Sequence, residues 1–294
     1  MTAKVDVLIP TDRRPAALAV TLTSLISQTL KDFGIIISDQ TEGDDVAATG
    51  EVSAALRVLA ACGHRIEVHK HLPRRGVAEQ RQFLLDQTTA PYALFLDDDL
   101  ILEPGVIEAT LQAILAEGCG FVGRAVIGLS YAHDVRLHEQ SIEFWEGTVK
   151  PELVQPGTPA WERHRLHHAA NIYHIQQRLG LRMDRQRRYR VAWIGGCVMY
   201  DVAKLKDCGG FSFWRELPAA YCGEDVQAQL RVMARYGGCG LIPSGVYHMD
   251  LPTTIVDRRV DTAKVLSPDI RSDINSGMAP ARSIARLRAQ SEAP

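Results

Sequence analysis

The chain has 294 residues, 46% hydrophobic and 23% charged, with a formal net charge of -2. That length accommodates one large domain or two small ones around a buried core. The near-neutral balance argues against a nucleic-acid partner and against general attraction to membranes. Six cysteines are scattered without a CxxC pair, a pattern that speaks against a zinc or disulfide framework and predicts reduced thiols in a cytoplasmic protein. VDVLIP opens the chain as a strand, so no signal peptide is expected. No apolar run approaches the roughly 20 residues that span a bilayer, so no transmembrane segment is expected.

Val5–Ile9 is a first strand, closed by Pro10, and the polar loop Thr11–Pro15 (TDRRP) ends on a proline suited to open a helix. Leu18, Leu22, Leu25 and Ile26 then recur at helical spacing to about Gln28. Gly34–Ser38 (GIIIS) is a second strand and stops at Asp39. The loop QTEGDD leads into a helix carrying Val52, Ala55, Leu56 and Leu59. Arg65–His69 is a third strand, and the basic loop Arg74–Gly76 precedes a helix with Val77, Leu84 and Leu85 inward. Ala93–Leu96 is a fourth strand, apolar enough for burial on both faces, and it breaks into Asp97, Asp98 and Asp99. Strands alternating with helices over about 120 residues predict an α/β fold: a Rossmann-like, mostly parallel central sheet with helices on both faces.

Pro104–Ala116 is a predicted helix and Phe121–Leu129 a predicted strand. Periodicity weakens from 130 to 190, where Trp161–Leu181 is predicted as an amphipathic helix ahead of the basic run Arg182–Arg190. It returns with the strand Val191–Tyr200, the short helix Val202–Asp207, the helix Glu224–Arg235, and the extended pieces Gly240–Ile242 and Val246–His248. Beyond about Lys264 a polar tail is expected, with one last helix.

Three adjacent carboxylates at a strand exit repel one another. A divalent cation such as Mg2+ or Mn2+ would relieve that repulsion, and a solvated acidic turn would avoid it. Thr11–Arg13, Asp39, Arg75–Gly76 and the acid run all fall at ends of strands that share one edge of a parallel sheet. Ligands of open α/β sheets gather at that edge.

Taken in order, TDRRP, IIISDQ, RGVAEQRQ, YALFLDDDL, GGCVMYDVAKLKDCGGF and GEDVQAQLRVMARYG resemble a family 2 glycosyltransferase of the GT-A fold. The resemblance covers about Val5–Ala116 and Val191–His248. Residues 130–190 lie outside it, and in such families the middle region shapes the acceptor site. It implies one GT-A domain, 1–265, with a nucleotide-binding half (about 1–120) and an acceptor-binding half (about 121–265), before a polar tail, 266–294. It further implies metal-dependent, inverting transfer of a sugar from a nucleoside diphosphate sugar, with Mn2+ or Mg2+ as cofactor. UDP is the favoured nucleotide and GDP the next. The acceptor would be a hydroxyl on a saccharide, glycolipid or small molecule.

The resemblance also implies roles. Asp39 would accept from the base; a carboxylate is a pure acceptor suited to a ring N–H of uracil or guanine, and equally a turn cap. Thr11 and Arg13 would flank base and ribose, Gly76 would admit the nucleoside, Arg81 would be the basic residue one turn into the next helix, and Arg75 would meet phosphate. Asp97 would lie near the ribose and Asp99 would bind the metal of the DXD motif, with Asp98 a second ligand or a supporting group. Gly195 and Gly196 would form a turn near the donor sugar, with Trp193 either core or platform. Asp225 would be the general base and Glu224 would orient hydroxyls, although acids at a helix start also offset its dipole. His248 would be a second metal ligand or a hydrogen-bonded structural residue, with Asp250 beside it.

His164 and His168, at i, i+4 on the predicted helix, have zinc-like spacing. HExxH is absent and arginines crowd the segment, which favours a solvated or acceptor-binding arm. Arg182–Arg190 reads as a solvated face, with attraction of a phosphorylated or lipid-linked acceptor or of an anionic membrane periphery as the alternative. Three rivals stand beside the main reading. One is a retaining GT-A transferase with the same metal site. Another is a sugar nucleotidyltransferase, whose GxGxR loop TDRRP lacks. The third is a non-catalytic nucleotide-sugar-binding module.

Overall fold

Apolar runs set the centre of the sheet, with the buried Asp6 the one acid inside the first of them. In the computed structural model, whose described residues are 3–218, 221–253 and 259–266, Val5–Thr11 forms strand β1 and every one of its residues is buried. Pro15 opens helix α1 (Pro15–Ile26), its ring already holding the helical φ. The Ile35–Ile37 run lies in β2 (Phe33–Asp39), followed by α2 (Gly50–Ala61), β3 (Ile66–Lys70), α3 (Val77–Gln87) and β4 (Tyr92–Leu96). These four strands are parallel in the order β3-β2-β1-β4. The loops that follow them therefore share one edge, and the exits of β1 and β4 are neighbours.

β5 (Leu100–Leu102), α4 (Val106–Glu117), β6 (Phe121–Gly123), α5 (Asn171–Arg178), β7 (Arg187–Tyr189) and β8 (Cys197–Asp201) come next. α6 (Val202–Asp207), α7 (Glu224–Tyr236), β9 (Gly238–Ile242), β10 (Val246–His248) and α8 (Thr262–Val265) complete the described elements. β8 runs antiparallel between β4 and β6, giving one eight-stranded sheet that spans both halves of the chain. On one face α1, α2 and α4 bury Leu18, Leu22, Val52, Leu59 and Ile107 against Val7 and Ile9. On the other, α3 and α7 bury Leu84, Leu85, Leu230 and Met233 against Leu8, Ile36 and Phe95. No helix among the described residues is long and apolar enough to cross a membrane.

Several elements differ from the sequence expectation. The predicted strand Phe121–Leu129 stops at Gly123. There the wholly buried Arg124 donates to Thr110 Oγ1 (2.6 Å), Gln186 Oε1 (3.1 Å) and the carbonyls of Pro243 (3.1 Å) and Ser244 (2.9 Å). The predicted helix Trp161–Leu181 is two pieces, a 3-10 segment Trp161–His167 and α5, parted near Ala169, whose φ is 47°. The predicted strand Val191–Tyr200 begins only at Cys197, after the Gly195–Gly196 turn. β5 and β7, three residues each, carry no periodicity to find and were not expected.

Arg182 and Arg185 of the basic run are exposed, whereas Arg187, Arg188 and Arg190 are engaged by neighbouring side chains. Arg187 lies 3.4 Å from the Phe144 ring centroid and Arg190 lies 3.8 Å from that of Trp145. Arg188 pairs with Glu117, and Arg190 Nη1 reaches Glu152 at 3.2 Å. The expected C-terminal tail lies, past Leu266, outside the described residues.

Candidate active site

The three acids at the end of β4 face three different partners. Asp97, with a side chain 38% exposed, accepts from Arg81 Nη2 at 2.9 Å, and its N–H donates to the Gly196 carbonyl (2.9 Å). Asp98 is buried and accepts from Thr11 Oγ1 at 2.6 Å. Burial, together with the charges of Asp99 and Asp97, pushes Asp98 up to about 7 against the hydrogen bond from Thr11 and the charge of Arg14. Thr21 on α1 pins the turn, donating to the Asp98 carbonyl (2.8 Å) and accepting from the Leu100 N–H (3.1 Å).

Asp99 is brought to His248 by β5, which pairs antiparallel with β10 and sets His248 opposite Leu100. His248 Nε2 stands 3.5 Å from Asp99 Oδ2. His248 Nδ1 lies 2.8 Å from the Asp250 backbone nitrogen and 3.3 Å from Asp250 Oδ1. A proton on Nδ1 would donate to that carboxylate and leave Nε2 open to a metal, the outer support that metal-binding histidines use. One oxygen and one nitrogen donor suit Mn2+ or Mg2+, with phosphate oxygens and water completing the shell. Among the described residues no three His, Cys, Asp or Glu side chains are grouped to hold an ion by themselves.

Arg14 was not singled out in the sequence, yet it sits at the centre. It precedes Pro15, which disfavours helical φ/ψ there, and its backbone stands at φ -128°, ψ 53° between the exit of β1 and the start of α1. Its Nη1 lies 2.7 Å from Asp99 Oδ2 and 3.5 Å from Asp98 Oδ1, and its Nη2 donates to the Pro252 carbonyl. The clue available in the sequence was topological: residues just after β1 and β4 must meet if those strands are neighbours.

From α3, Arg81 joins both sets of acids. It accompanies its bond to Asp97 with one from Nε to Glu224 Oε1 (3.1 Å). Burial works against its charge, but Asp97, Glu224 and Asp225 around it raise its pKa further. Glu224 was expected to orient hydroxyls; instead it is 5% exposed and committed to Arg81. Asp225 accepts from the Val226 N–H (2.8 Å) through Oδ1. Burial and the charge of Glu224 push Asp225 up to about 7, with Arg81 pulling the other way.

Gly195 and Gly196 bring the two sides together. A Cβ on Gly195 would stand 3.2 Å from Asp225 Oδ2, and one on Gly196 would stand 3.4 Å from Asp97 Oδ2 and 2.8 Å from Val126 Cγ2. Gly196 also has φ +78, a region L side chains rarely adopt. Gln229 of α7 clamps the same turn, accepting from the Ile194 N–H (2.8 Å) and donating to its carbonyl (2.6 Å).

The expected nucleoside side is partly occupied by the protein itself. Asp39 accepts from the N–H groups of Thr41 (2.8 Å) and Val46 (3.3 Å) and from Lys70 Nζ (3.0 Å). Burial would raise it, but these bonds hold it below its ordinary value. It nevertheless lines an open pocket of ≈ 270 Å³ with Gly43, Asp44, Asp45, Ala47, Val68 and Lys70. Asp12 Oδ1 and Gln40 Nε2, at the exits of β1 and β2, are buried without a hydrogen-bond partner.

Thr11 is turned inward onto Asp98. Arg13 is exposed and pairs with Asp12 (3.2 Å), while Arg75 is exposed on its loop. Gly76 does not open a gap for a ligand: the Tyr221 hydroxyl lies 2.5 Å from where its Cβ would be, and that hydroxyl accepts from the Ala78 N–H (2.8 Å).

The histidine cluster is not a solvated arm. His164 stacks on Trp193 (5.0 Å, 8°), Trp161 lies 4.6 Å from Trp193, and His168 is 5.2 Å from His164. His167 meets the Tyr189 hydroxyl at 3.0 Å, and burial pushes it down to about 4. This aromatic group, two residues from Gly195, stands beside the turn that faces Asp225.

The sequence model of glycosyl transferase family 2 matches residues 6–187, more than half of the chain. The chain belongs to glycosyl transferase family 2. The match takes in Asp39, Arg81 and the acid run, and it continues through the middle region that the motif resemblance left out. Gly195, Asp225 and His248 lie beyond it. Among solved structures, this family 2 chain is similar to S. aureus TarS 1–349 (TM-score 0.51, 15% identity, 83% of this chain and 60% of that one). It is equally similar to TarS 1–349 in complex with UDP-GlcNAc (TM-score 0.51, 14% identity, 86% of this chain and 60% of that one). At such identities the likeness concerns the fold, which is the GT-A arrangement. The alignments take in 60% of those TarS chains. No curated protein sequence matches significantly.

Proposed function

We propose that the chain is a metal-dependent, inverting glycosyltransferase that moves a sugar from a nucleoside diphosphate sugar to a hydroxyl acceptor. The observation that carries this reading is the partly buried Asp225 carboxylate beside the Gly195–Gly196 turn, with Asp97 on the other side of that turn. A base raised to about 7 is matched to taking a hydroxyl proton near neutral pH. In this reading Asp225 takes the acceptor's proton as its oxygen attacks the sugar carbon opposite the departing diphosphate. Arg81 holds Asp97 and Glu224 rigid, and Gln229 fixes the turn. Asp99 and His248 would hold Mn2+ or Mg2+, which when bound supplies charge neutralisation for the leaving diphosphate.

Support for the donor side comes from the pocket beside Asp39 and from the orphaned Asp12 Oδ1 and Gln40 Nε2. An acceptor atom and a donor atom left unpaired in a buried place match the ring N–H and carbonyl of uracil or guanine. UDP is favoured, in line with the UDP-GlcNAc complex of a structure sharing the fold. The aromatic group of Trp161, His164 and Trp193 forms the acceptor side. A panel of nucleotide sugars, scored for Mn2+-dependent hydrolysis and transfer, tests the reading. Proton NMR couplings of the product then separate inversion from retention, and a retained anomer would remove Asp225 as base. Nucleotide-sugar binding without any turnover would instead support a non-catalytic module.

A further inference from the structure

The acid run is already neutralised from within. Arg14 Nη1 is 2.7 Å from Asp99 Oδ2, the same oxygen that stands 3.5 Å from His248 Nε2. Its side chain is 16% exposed and is anchored at three acceptors: Asp99, Asp98 and the Pro252 carbonyl. A cation bound between Asp99 and His248 would therefore meet a guanidinium nitrogen on the carboxylate oxygen it needs. Two positive charges a few ångströms apart in a partly buried cleft repel strongly.

We propose that Arg14 is the resident counter-ion of this site and that a divalent cation must displace it from Asp99 in order to bind. The inference rests on the metal assignment made above and adds a competitor to it. Charge balance gives the order of events. Without a nucleotide, the guanidinium already satisfies Asp98 and Asp99, and a free cation gains little by replacing it. A diphosphate arrives with negative charge of its own, which both holds the metal and gives the displaced guanidinium a new partner. Metal affinity should therefore be weak alone and rise when the nucleotide is present, with Arg14 as the cause of the weakness.

The test measures Mn2+ binding on the full chain by electron paramagnetic resonance, with and without UDP, and needs no turnover. Wild type is expected to bind Mn2+ weakly alone and more tightly with UDP. Arg14→Gln, which keeps hydrogen bonding but loses the charge, is expected to bind Mn2+ alone at least about tenfold more tightly. Arg14→Lys, which keeps the charge, is expected to stay near wild type. Circular dichroism melts confirm that each variant is folded, and Arg14→Met serves if the Gln variant is not. Unchanged or weaker Mn2+ affinity in the uncharged variants overturns the proposal, as does an equal gain in Arg14→Lys. If no variant binds Mn2+ while UDP still binds in EDTA, the displacement idea fails and the nucleotide reading survives. If UDP binds under neither condition while Arg14→Gln gains Mn2+ affinity, the displacement stands and the UDP reading fails.

Discussion

Asp225 carries the hardest task in the proposed chemistry, and its surroundings set its protonation. Burial and Glu224 push it up to about 7. A base works only when deprotonated, so lowering the pH through that value should silence it. Turnover is expected to rise with pH and reach half its maximum near pH 7. A flat profile between about pH 5.5 and 8.5 would contradict the assignment. Asp225→Asn keeps the shape and removes the base. It is expected to lower turnover by roughly two to four orders of magnitude while donor affinity stays near wild type; near-normal turnover would remove Asp225 from the mechanism. The acids themselves were legible in the sequence because motifs expose them. Their partners were not: Arg14, Gln229 and Tyr221 act through contacts that only the fold creates.

Arg124 shows how an element can be held by one polar residue in the core. It is wholly buried, donates only to uncharged acceptors, and burial pushes it down to about 10. Through it β6 and α4 are tied to the turn between β9 and β10, and β10 carries His248. Arg124→Met would leave those acceptors unpaired at a cost of about 3 kcal/mol. For a chain of this size the Tm should fall by roughly 6–12 °C, measured by calorimetry, whereas an unchanged Tm would show that the network contributes little. Nothing in the sequence around Arg124 signals this role, since an arginine after FVG reads as the continuation of the predicted strand Phe121–Leu129. β5 was hidden for a related reason: three residues are too few for a period, and its partner lies far along the chain.

The whole sheet was legible where burial leaves a continuous apolar signature. β1, β2 and β4 are buried on both faces and announce themselves, and their parallel order brings Thr11, Asp39 and the acid run to one edge. The middle region was not legible. Its helix is broken at Ala169, Arg163 and Arg188 pair with Glu143, Glu152 and Glu117, and His164 packs on Trp193. Those are tertiary pairings that neither composition nor spacing encodes. In the proposed function, one edge of this sheet holds a nucleoside diphosphate through a metal on Asp99 and His248. Isothermal titration of UDP into the full chain with Mn2+, with EDTA, and into Asp99→Ala with Mn2+ tests it directly. Wild type is expected to bind more tightly with Mn2+ than with EDTA, and Asp99→Ala to lose that increment. Equal affinity in all three titrations would show that Asp99 holds no metal on the nucleotide.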